Sequence, residues 1–240
     1  MRRKLIMAAA LLPALAHANT SISLDTAPIN SHDKISLQRG ANHFVNYCLS
    51  CHSANFMRYG RLQDLDLSEE QIKTHLLPAG VKIGDAMSIT LLPQDAKTWF
   101  GKAPPDLSVI ARARGTDWLY SYLRGFYRDD KKASGWNNTV FPDVGMPHVL
   151  YELQGEQVLH HEAEKGEHAA HSGKLMLEKP GKLTPLEYDQ FVTDLVNYLD
   201  YMGEPSKSKR VLTGILVLFF LALLLPLVIL IKKEYWKDVK

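Results

Sequence analysis

The feature that most constrains this chain is an apolar segment near its C-terminus, residues 211–231, in which no side chain is charged. As an α-helix, these 21 residues are about 31 Å long, enough to cross the ~30 Å hydrocarbon core of a lipid bilayer. Pro226 lies inside the segment, and membrane helices tolerate proline. The sequence therefore predicts one C-terminal transmembrane helix, with the remaining residues folded outside the membrane.

The N-terminus predicts export across the inner (cytoplasmic) membrane. Three basic residues at positions 2–4 precede an apolar run that ends at Ala16-His17-Ala18. This order is typical of a cleaved secretory signal peptide, here residues 1–18, although a short buried helix is an alternative. With a signal peptide, residues 19–206 form a periplasmic domain and residues 232–240 form a cytoplasmic tail.

The charge of the exported domain argues against one class of partner. Residues 19–206 contain 18 Lys and Arg against 24 Asp and Glu, a net charge of about −6, although the whole chain is formally +2. An acidic surface disfavours nucleic acid and suits a basic protein that is attracted electrostatically. Three basic residues precede the apolar segment and four follow it, so the orientation depends on the signal peptide and not on the positive-inside rule.

The only two cysteines form the motif Cys48-Leu49-Ser50-Cys51-His52. This C-x-x-C-H spacing is typical of covalent haem c attachment, because each thiol adds to one haem vinyl group and the histidine is then placed beneath the iron. A zinc knuckle lacks a second cysteine pair, and a thioredoxin-like redox pair usually follows a strand. A plain disulfide leaves His52 without a role. We therefore expect one haem c.

The exported domain has the pattern of a mainly α-helical protein with long loops. Apolar spacing predicts a helix over about 35–47, another that starts at Asp106, and a third over 117–126. Residues 136–147 are expected to form a loop, and residues 155–182 a His-rich excursion. Thr184-Pro185-Leu186-Glu187 predicts a capping box, followed by a helix with a buried stripe; the stripe consists of Phe191, Leu195, Tyr198, Leu199 and Met202.

A haem c also needs a second iron ligand and polar partners for its propionates, and the sequence offers candidates for both. Met146 lies between Gly145 and Pro147, where glycine permits close approach to a haem and proline stiffens the loop, so we favour it over Met87. A histidine ligand or a vacant position is the remaining alternative. Arg112 and Arg114 are candidates for a propionate, because a guanidinium donates two hydrogen bonds to a carboxylate.

Taken in order, these motifs resemble the cytochrome c1 family, the haem subunits of the ubiquinol–cytochrome c reductase (bc1) complex. The resemblance runs from the cysteine motif through Ala103-Pro104-Pro105-Asp106-Leu107-Ser108 and Arg112-Ala113-Arg114 to Gly145-Met146-Pro147. It continues through Glu204-Pro205 to the C-terminal apolar segment with Leu225-Pro226-Leu227 and the basic residues after it. Trp118 departs from the tyrosine common in the family, the loop over 141–146 is short, and the excursion over 155–182 is long.

The resemblance implies a c-type cytochrome fold in which the helices around Phe44 and Tyr198 cross. It further implies iron ligation by His52 and Met146, with Cys48 and Cys51 as the covalent attachments. It also implies haem contacts from Arg114 at a propionate, and from Pro104, Pro105 and Leu123.

The implied function is electron transfer from a Rieske iron-sulfur protein to a soluble c-type cytochrome, within a complex that includes cytochrome b. The chain would then be one subunit of an oxidoreductase and no enzyme by itself, because the haem carries the chemistry. One alternative is a separate membrane-anchored cytochrome that feeds a terminal oxidase. A more distant alternative is an anchored thiol–disulfide exchange protein.

Overall fold

The computed structural model describes residues 23–160 and 173–238. The predicted signal peptide and most histidines of the 155–182 excursion lie outside these residues. About half of these residues are helical, as expected for a mainly α-helical protein, and the eight α-helices are α1 Lys34–His43, α2 Glu69–His75, α3 Pro93–Phe100, α4 Ile110–Arg114, α5 Thr116–Arg124, α6 Tyr151–Gln154, α7 Pro185–Gly203 and α8 Lys207–Tyr235.

Six short strands form three separate antiparallel pairs in the described residues: β1 Ala54–Arg58 with β2 Ala86–Met87, β3 Phe126–Arg128 with β4 Trp136–Asn138, and β5 Gly155–His160 with β6 Lys174–Pro180. The sequence analysis predicted none of them. Three of the strands have only two or three residues. The three longer strands do not alternate strictly between apolar and polar residues, so the sequence carries no clear strand pattern for them.

The core is organised around the crossing of α1 and α7. A capping box starts α7 as predicted, because the Thr184 side chain accepts from the Glu187 amide and the Glu187 side chain accepts from the Thr184 amide. Every member of the predicted apolar stripe on α7 is buried. The rings of Phe44 and Tyr198 lie 5.7 Å apart, so the helices meet where the family resemblance implies.

Gly40 allows the two helices to approach closely. A Cβ atom at this position would lie 2.0 Å from the backbone oxygen of Asp194 and 2.7 Å from the Cβ of Tyr198. Neither of those atoms belongs to the end of a flexible side chain that could swing aside. The crossing geometry therefore requires glycine on α1.

A buried carboxylate joins the same two helices. Asp194, with a side chain only 2% exposed, pairs with the Arg39 guanidinium at 2.6 Å. It also accepts hydrogen bonds from the Ser36 hydroxyl at 2.7 Å and the Gln190 amide at 3.0 Å. Because each of these donors offsets the cost of burying the charge, the network fixes the position of α1 on α7.

The structure differs from two of the predicted helices, in the type of the last turn of the first and in the starting residue of the second. The first helix ends at His43 and continues as a π-helical turn, Phe44–Cys48, in which the Leu49 amide donates to the Phe44 carbonyl at 3.0 Å. The helix expected to start at Asp106 begins instead at Ile110, because the Asp106 side chain is committed to other contacts that are described below.

The C-terminal helix α8 extends beyond the predicted apolar segment. Its stretch Lys209–Tyr235 is long and apolar enough to cross a membrane, and none of that stretch is buried inside the protein. A helix with an apolar surface on all sides needs an apolar surrounding, which a bilayer provides. Membrane anchoring over 211–231 is consistent with this helix.

Candidate functional site

The cysteine motif forms one tight turn at the end of the π-helical segment. The amides of Cys51 and His52 both donate to the carbonyl of Cys48, at 3.1 and 2.8 Å. Both thiols are free and half-buried, and burial raises the pKa of the Cys48 thiol to about 12. The turn therefore presents two thiols and one imidazole from five consecutive residues.

His52 is held in one orientation by the proline-rich segment. Its Nδ1 lies 2.7 Å from the carbonyl oxygen of Pro105, so Nδ1 carries the proton and donates it. The Nε2 lone pair is then left for a metal, an arrangement usual for histidine ligands. Burial lowers the pKa of His52, which keeps the ring in the neutral form that metal binding needs.

Backbone-directed hydrogen bonds hold the segment that contains Pro104 and Pro105 beside the motif. The Asp106 carboxylate accepts from the amides of Asn55 at 2.9 Å and Ser108 at 2.8 Å. Although burial raises the pKa of Asp106, the hydrogen bonds from Ser108 and Asn55 hold it below its ordinary value. Asp106 therefore joins this segment to the strand after the motif, and does not cap a helix.

The two candidate methionines occupy different surroundings. Met146 is half-buried, and its sulfur accepts a hydrogen bond from the Tyr122 hydroxyl at 3.4 Å. Met87 is fully buried in the core, where its sulfur accepts from the Tyr198 hydroxyl at 3.6 Å. Because Met87 contributes to the packing of the core, Met146 is the methionine in the looser environment that a ligand loop requires.

Aromatic rings connect Arg114 to the Met146 loop. The Arg114 guanidinium lies over Trp118 at 5.1 Å and near Phe141 at 5.9 Å, and Trp118 stacks on Tyr122 at 4.8 Å. Arg114 is exposed and makes no ion pair with a carboxylate in 23–160 or 173–238, which leaves its donors free for an anionic group. The side chain of Arg112 lies instead against the end of α7, at Gly203.

Leu123 follows Tyr122 on α5 and is 8% exposed. Its carbonyl accepts from the hydroxyl of Tyr188 on α7 at 2.9 Å. The structure therefore places the predicted site residues in two regions. His52 touches Pro105 next to the cysteines, while Arg114, Leu123 and Met146 lie on or against α5.

Two asparagines shape the Met146 loop, and the sequence analysis gave neither a role. Asn138, 1% exposed, donates from Nδ2 to the Tyr122 carbonyl at 2.7 Å, and its Oδ1 accepts from the amides of Val140 and Phe141. Asn137 Oδ1 accepts from the Asp143 amide at 2.9 Å. Asparagine side chains often form hydrogen bonds to nearby backbone groups in turns, so two adjacent asparagines before a loop with a proline are a sequence signal for such bonds.

His148 is a second residue that the sequence analysis missed. It is 2% exposed, its ring stacks on Phe126 at 4.8 Å, and neither ring nitrogen has a hydrogen-bond partner among the described residues. Burial lowers its pKa to about 4. The neutral ring packs as an aromatic side chain and supports the loop two residues after Met146.

The chemistry of these donors fits a covalently attached haem c. Two thiols and a neutral imidazole come from one turn, and the imidazole has its Nε2 lone pair free. A half-buried thioether lies on a separate loop, and a neutral imidazole with a thioether is a ligand pair of c-type cytochromes. The exposed Arg114 adds a cation that suits a carboxylate of the same group.

Comparison with known proteins finds similarity over nearly the whole chain. The Cytochrome C1 family model matches residues 25–239. The ammonia monooxygenase gamma subunit of Nitrosomonas europaea is 52% identical over 100% of this chain and 99% of that protein. Cytochrome c1 of Allochromatium vinosum is 46% identical over 99% of each chain. Cytochrome c1 of Rhodospirillum rubrum is 29% identical over 87% of this chain and 84% of its own length.

Proposed function

The chain belongs to the cytochrome c1 family, and we propose that it is the haem-bearing electron-transfer subunit of a membrane-bound quinol–cytochrome c reductase. Membership confirms the identification made from the ordered motifs, and with it the c-type cytochrome fold and one covalently bound haem c. The observation that carries the proposal is the C-x-x-C-H turn, in which His52 is oriented by its hydrogen bond to Pro105 at 2.7 Å.

Cys48 and Cys51 are the proposed thioether attachments, and His52 and Met146 the proposed axial ligands. When bound, the haem supplies a one-electron couple between ferric and ferrous iron. The protein holds the imidazole by the Nδ1 hydrogen bond and supplies a soft thioether, which raises the reduction potential relative to two histidines. Arg114 is the proposed partner of a propionate.

Pro104, Pro105 and Leu123 are the proposed lining of the haem. The rings of Pro104 and Pro105 have no amide hydrogen that a nearby apolar group would leave unsatisfied. The buried side chain of Leu123 excludes water. Exclusion of water lowers the local dielectric constant and favours the less charged, reduced form of the centre.

We place the haem domain in the periplasm and anchor it in the inner membrane through 211–231, with the C-terminus in the cytoplasm. The signal-peptide pattern of residues 1–18 and the apolar surface of α8 support this orientation. The proposed partners are cytochrome b, a Rieske iron-sulfur protein as donor, and a soluble c-type cytochrome as acceptor.

The domain's net charge of about −6 supports a basic acceptor, but the charge is distributed. Near α2, Asp66 pairs with Lys34 at 2.6 Å, Asp64 with Arg61 at 2.9 Å and Glu69 with Lys73 at 2.6 Å. These cations locally neutralise three of the four acidic residues near α2, which are Asp64, Asp66, Glu69 and Glu70. Steering of an acceptor therefore depends on the whole domain and falls as salt shortens the Debye length.

Two measurements test the proposal. Haem staining on a denaturing gel after thiol reduction should detect covalent haem in the wild type and none in a Cys48→Ser/Cys51→Ser variant, whereas a thiol–disulfide exchange protein gives no stain. Met146→Leu is the matched ligand variant. It should keep the covalent haem, lose the sulfur-to-iron absorption of the ferric protein and lower the reduction potential; if the absorption persists, Met146 is not the ligand.

Affinity purification from solubilised membranes separates the remaining functions. We expect cytochrome b and a Rieske protein to copurify with the chain. Recovery with a terminal oxidase and without cytochrome b would support the separately anchored cytochrome. The relative from Nitrosomonas europaea is named as a monooxygenase subunit, so recovery with monooxygenase subunits instead would favour that second function.

A further inference from the structure

We propose that Tyr122 is a positioning residue for the iron ligand, holding the Met146 sulfur through its hydroxyl and raising the reduction potential of the centre. The inference rests on the proposed function, because it takes Met146 as the axial ligand. It assigns a role to a tyrosine that none of the sequence motifs includes.

The geometry of Tyr122 aims its hydroxyl at one acceptor. The oxygen lies 3.4 Å from Met146 Sδ, and this sulfur is the hydrogen-bond partner that the described part of the chain provides for it. Trp118 stacks on the tyrosine ring at 4.8 Å with an interplanar angle of 10°, and Phe126 meets it edge-on at 5.1 Å. The ring is therefore fixed from two sides.

The backbone of Tyr122 is fixed to the same loop. Asn138 Nδ2 donates to the Tyr122 carbonyl at 2.7 Å, while the Oδ1 of that asparagine accepts from the amides of Val140 and Phe141. Tyr122 itself is 9% exposed, so water does not compete freely for its hydroxyl. Hydrogen bonds therefore link the helix that carries the donor to the loop that carries the thioether.

A thioether sulfur has two lone pairs, so it can bind iron with one and accept a hydrogen bond with the other. The donated proton withdraws electron density from the sulfur, which then donates less to the metal. Weaker donation destabilises the ferric state more than the ferrous state, and hydrogen bonds around ligands are a recognised means of tuning potentials. Removing the hydroxyl should therefore lower the reduction potential.

A second tyrosine–methionine pair provides a matched control. The Tyr198 hydroxyl donates to Met87 Sδ at 3.6 Å, and both residues are fully buried in the core. The chemistry of the contact is the same, but Met87 is not the proposed ligand. Tyr198→Phe therefore removes the same kind of hydrogen bond without an expected effect on the potential.

The test is a redox titration of the full-length, membrane-bound protein as wild type, Tyr122→Phe, Tyr198→Phe and Met146→Leu. Phenylalanine keeps both ring contacts of Tyr122, so covalent haem should be retained. At a fixed ambient potential near the midpoint, Tyr122→Phe should raise the ratio of oxidised to reduced protein by up to about fivefold, the limit set by the net free energy of one hydrogen bond. Tyr198→Phe should leave this ratio unchanged.

An unchanged potential in Tyr122→Phe, together with loss of the sulfur-to-iron absorption in Met146→Leu, would overturn the role of Tyr122 while leaving the ligand assignment intact. If the absorption survives in Met146→Leu, the ligand assignment itself fails. A shift in Tyr198→Phe alone would point to Met87 and also overturn the inference. In a Met146→Leu background, Tyr122→Phe should have no further effect on the potential, because the acceptor sulfur is gone.

Discussion

Asn138→Ala should destabilise the domain by about 2–4 kcal/mol and loosen the Met146 loop first. Asn138 is 1% exposed and makes three hydrogen bonds to backbone groups, at 2.7, 2.8 and 3.1 Å. Alanine leaves the Val140 amide and part of the Tyr122 carbonyl unsatisfied in the interior, at a cost of about 1–3 kcal/mol for each buried group.

Two details of the structure set that range. The Tyr122 carbonyl retains one donor, because the Gly125 amide also reaches it at 3.1 Å. The Phe141 amide belongs to a residue that is 40% exposed, so water replaces the lost acceptor there at little cost. The loss of stability therefore has three main sources. They are the unpaired Val140 amide, the loss of one of the two hydrogen bonds to the Tyr122 carbonyl, and the small cavity that alanine leaves.

The assay is urea unfolding of the full-length protein in detergent, monitored by two optical signals. Tryptophan fluorescence, quenched by the haem in the folded protein, rises on unfolding, and the sulfur-to-iron absorption is lost. In Asn138→Ala, the absorption should disappear at a lower urea concentration than the fluorescence change. Asn42→Ala is the control, because Asn42 is exposed on α1 and should change stability by less than about 0.5 kcal/mol. A loss below about 1 kcal/mol in Asn138→Ala, with coincident transitions, would refute the reasoning.

Three further predictions follow from other parts of the structure. Gly40→Ala should destabilise the fold by about 3 kcal/mol or more in the same urea assay, because its Cβ would lie 2.0 Å from a backbone oxygen; an unchanged midpoint would mean that α1 and α7 separate at no cost. Burial lowers the pKa of His43 to about 4 from an ordinary value of 6.5, so the folded state binds fewer protons than the unfolded state between these values. Stability is then complete above pH 6.5 and falls as the pH drops to 4. His43→Phe, which keeps the stacking on Phe191, should flatten that part of the stability profile; an equal slope in both proteins would contradict the prediction. Truncation after Ser206 should yield a water-soluble domain whose haem is still reducible, as judged by absorption spectra of the periplasmic fraction, and a haem-free or insoluble product would show that α8 is needed for folding.

The sequence by itself determined the features whose physics is local. The C-x-x-C-H spacing is read within five residues, the capping box at Thr184 within four, and the apolar segment 211–231 from its own composition. Each involves groups close in sequence or a single segment and its solvent. The α7 stripe was also predictable, since helical periodicity alone selects the face that must be buried.

The tertiary structure decided which distant residues meet. His52 finds Pro105, Ser36 finds Asp194, and Tyr122 finds Met146. None of these contacts follows from the identity of either partner, because several carbonyls, carboxylates and methionines would serve equally well by chemical type. The helix boundary at Asp106 was wrong for the same reason: a distant amide of Asn55 competes for the side chain that local rules assign to a cap.

The short strands show most clearly how far local sequence can predict secondary structure. Trp136–Asn138 is paired with Phe126–Arg128, although its sequence predicts a loop, because the hydrogen bonds that make it a strand belong to another segment. The same holds for the Met146 loop, whose course depends on asparagine side chains that bind backbone groups of α5 and of the loop itself. Local sequence specifies which groups are available for bonding, but only the folded chain fixes the distances at which hydrogen bonding, burial and metal ligation take effect.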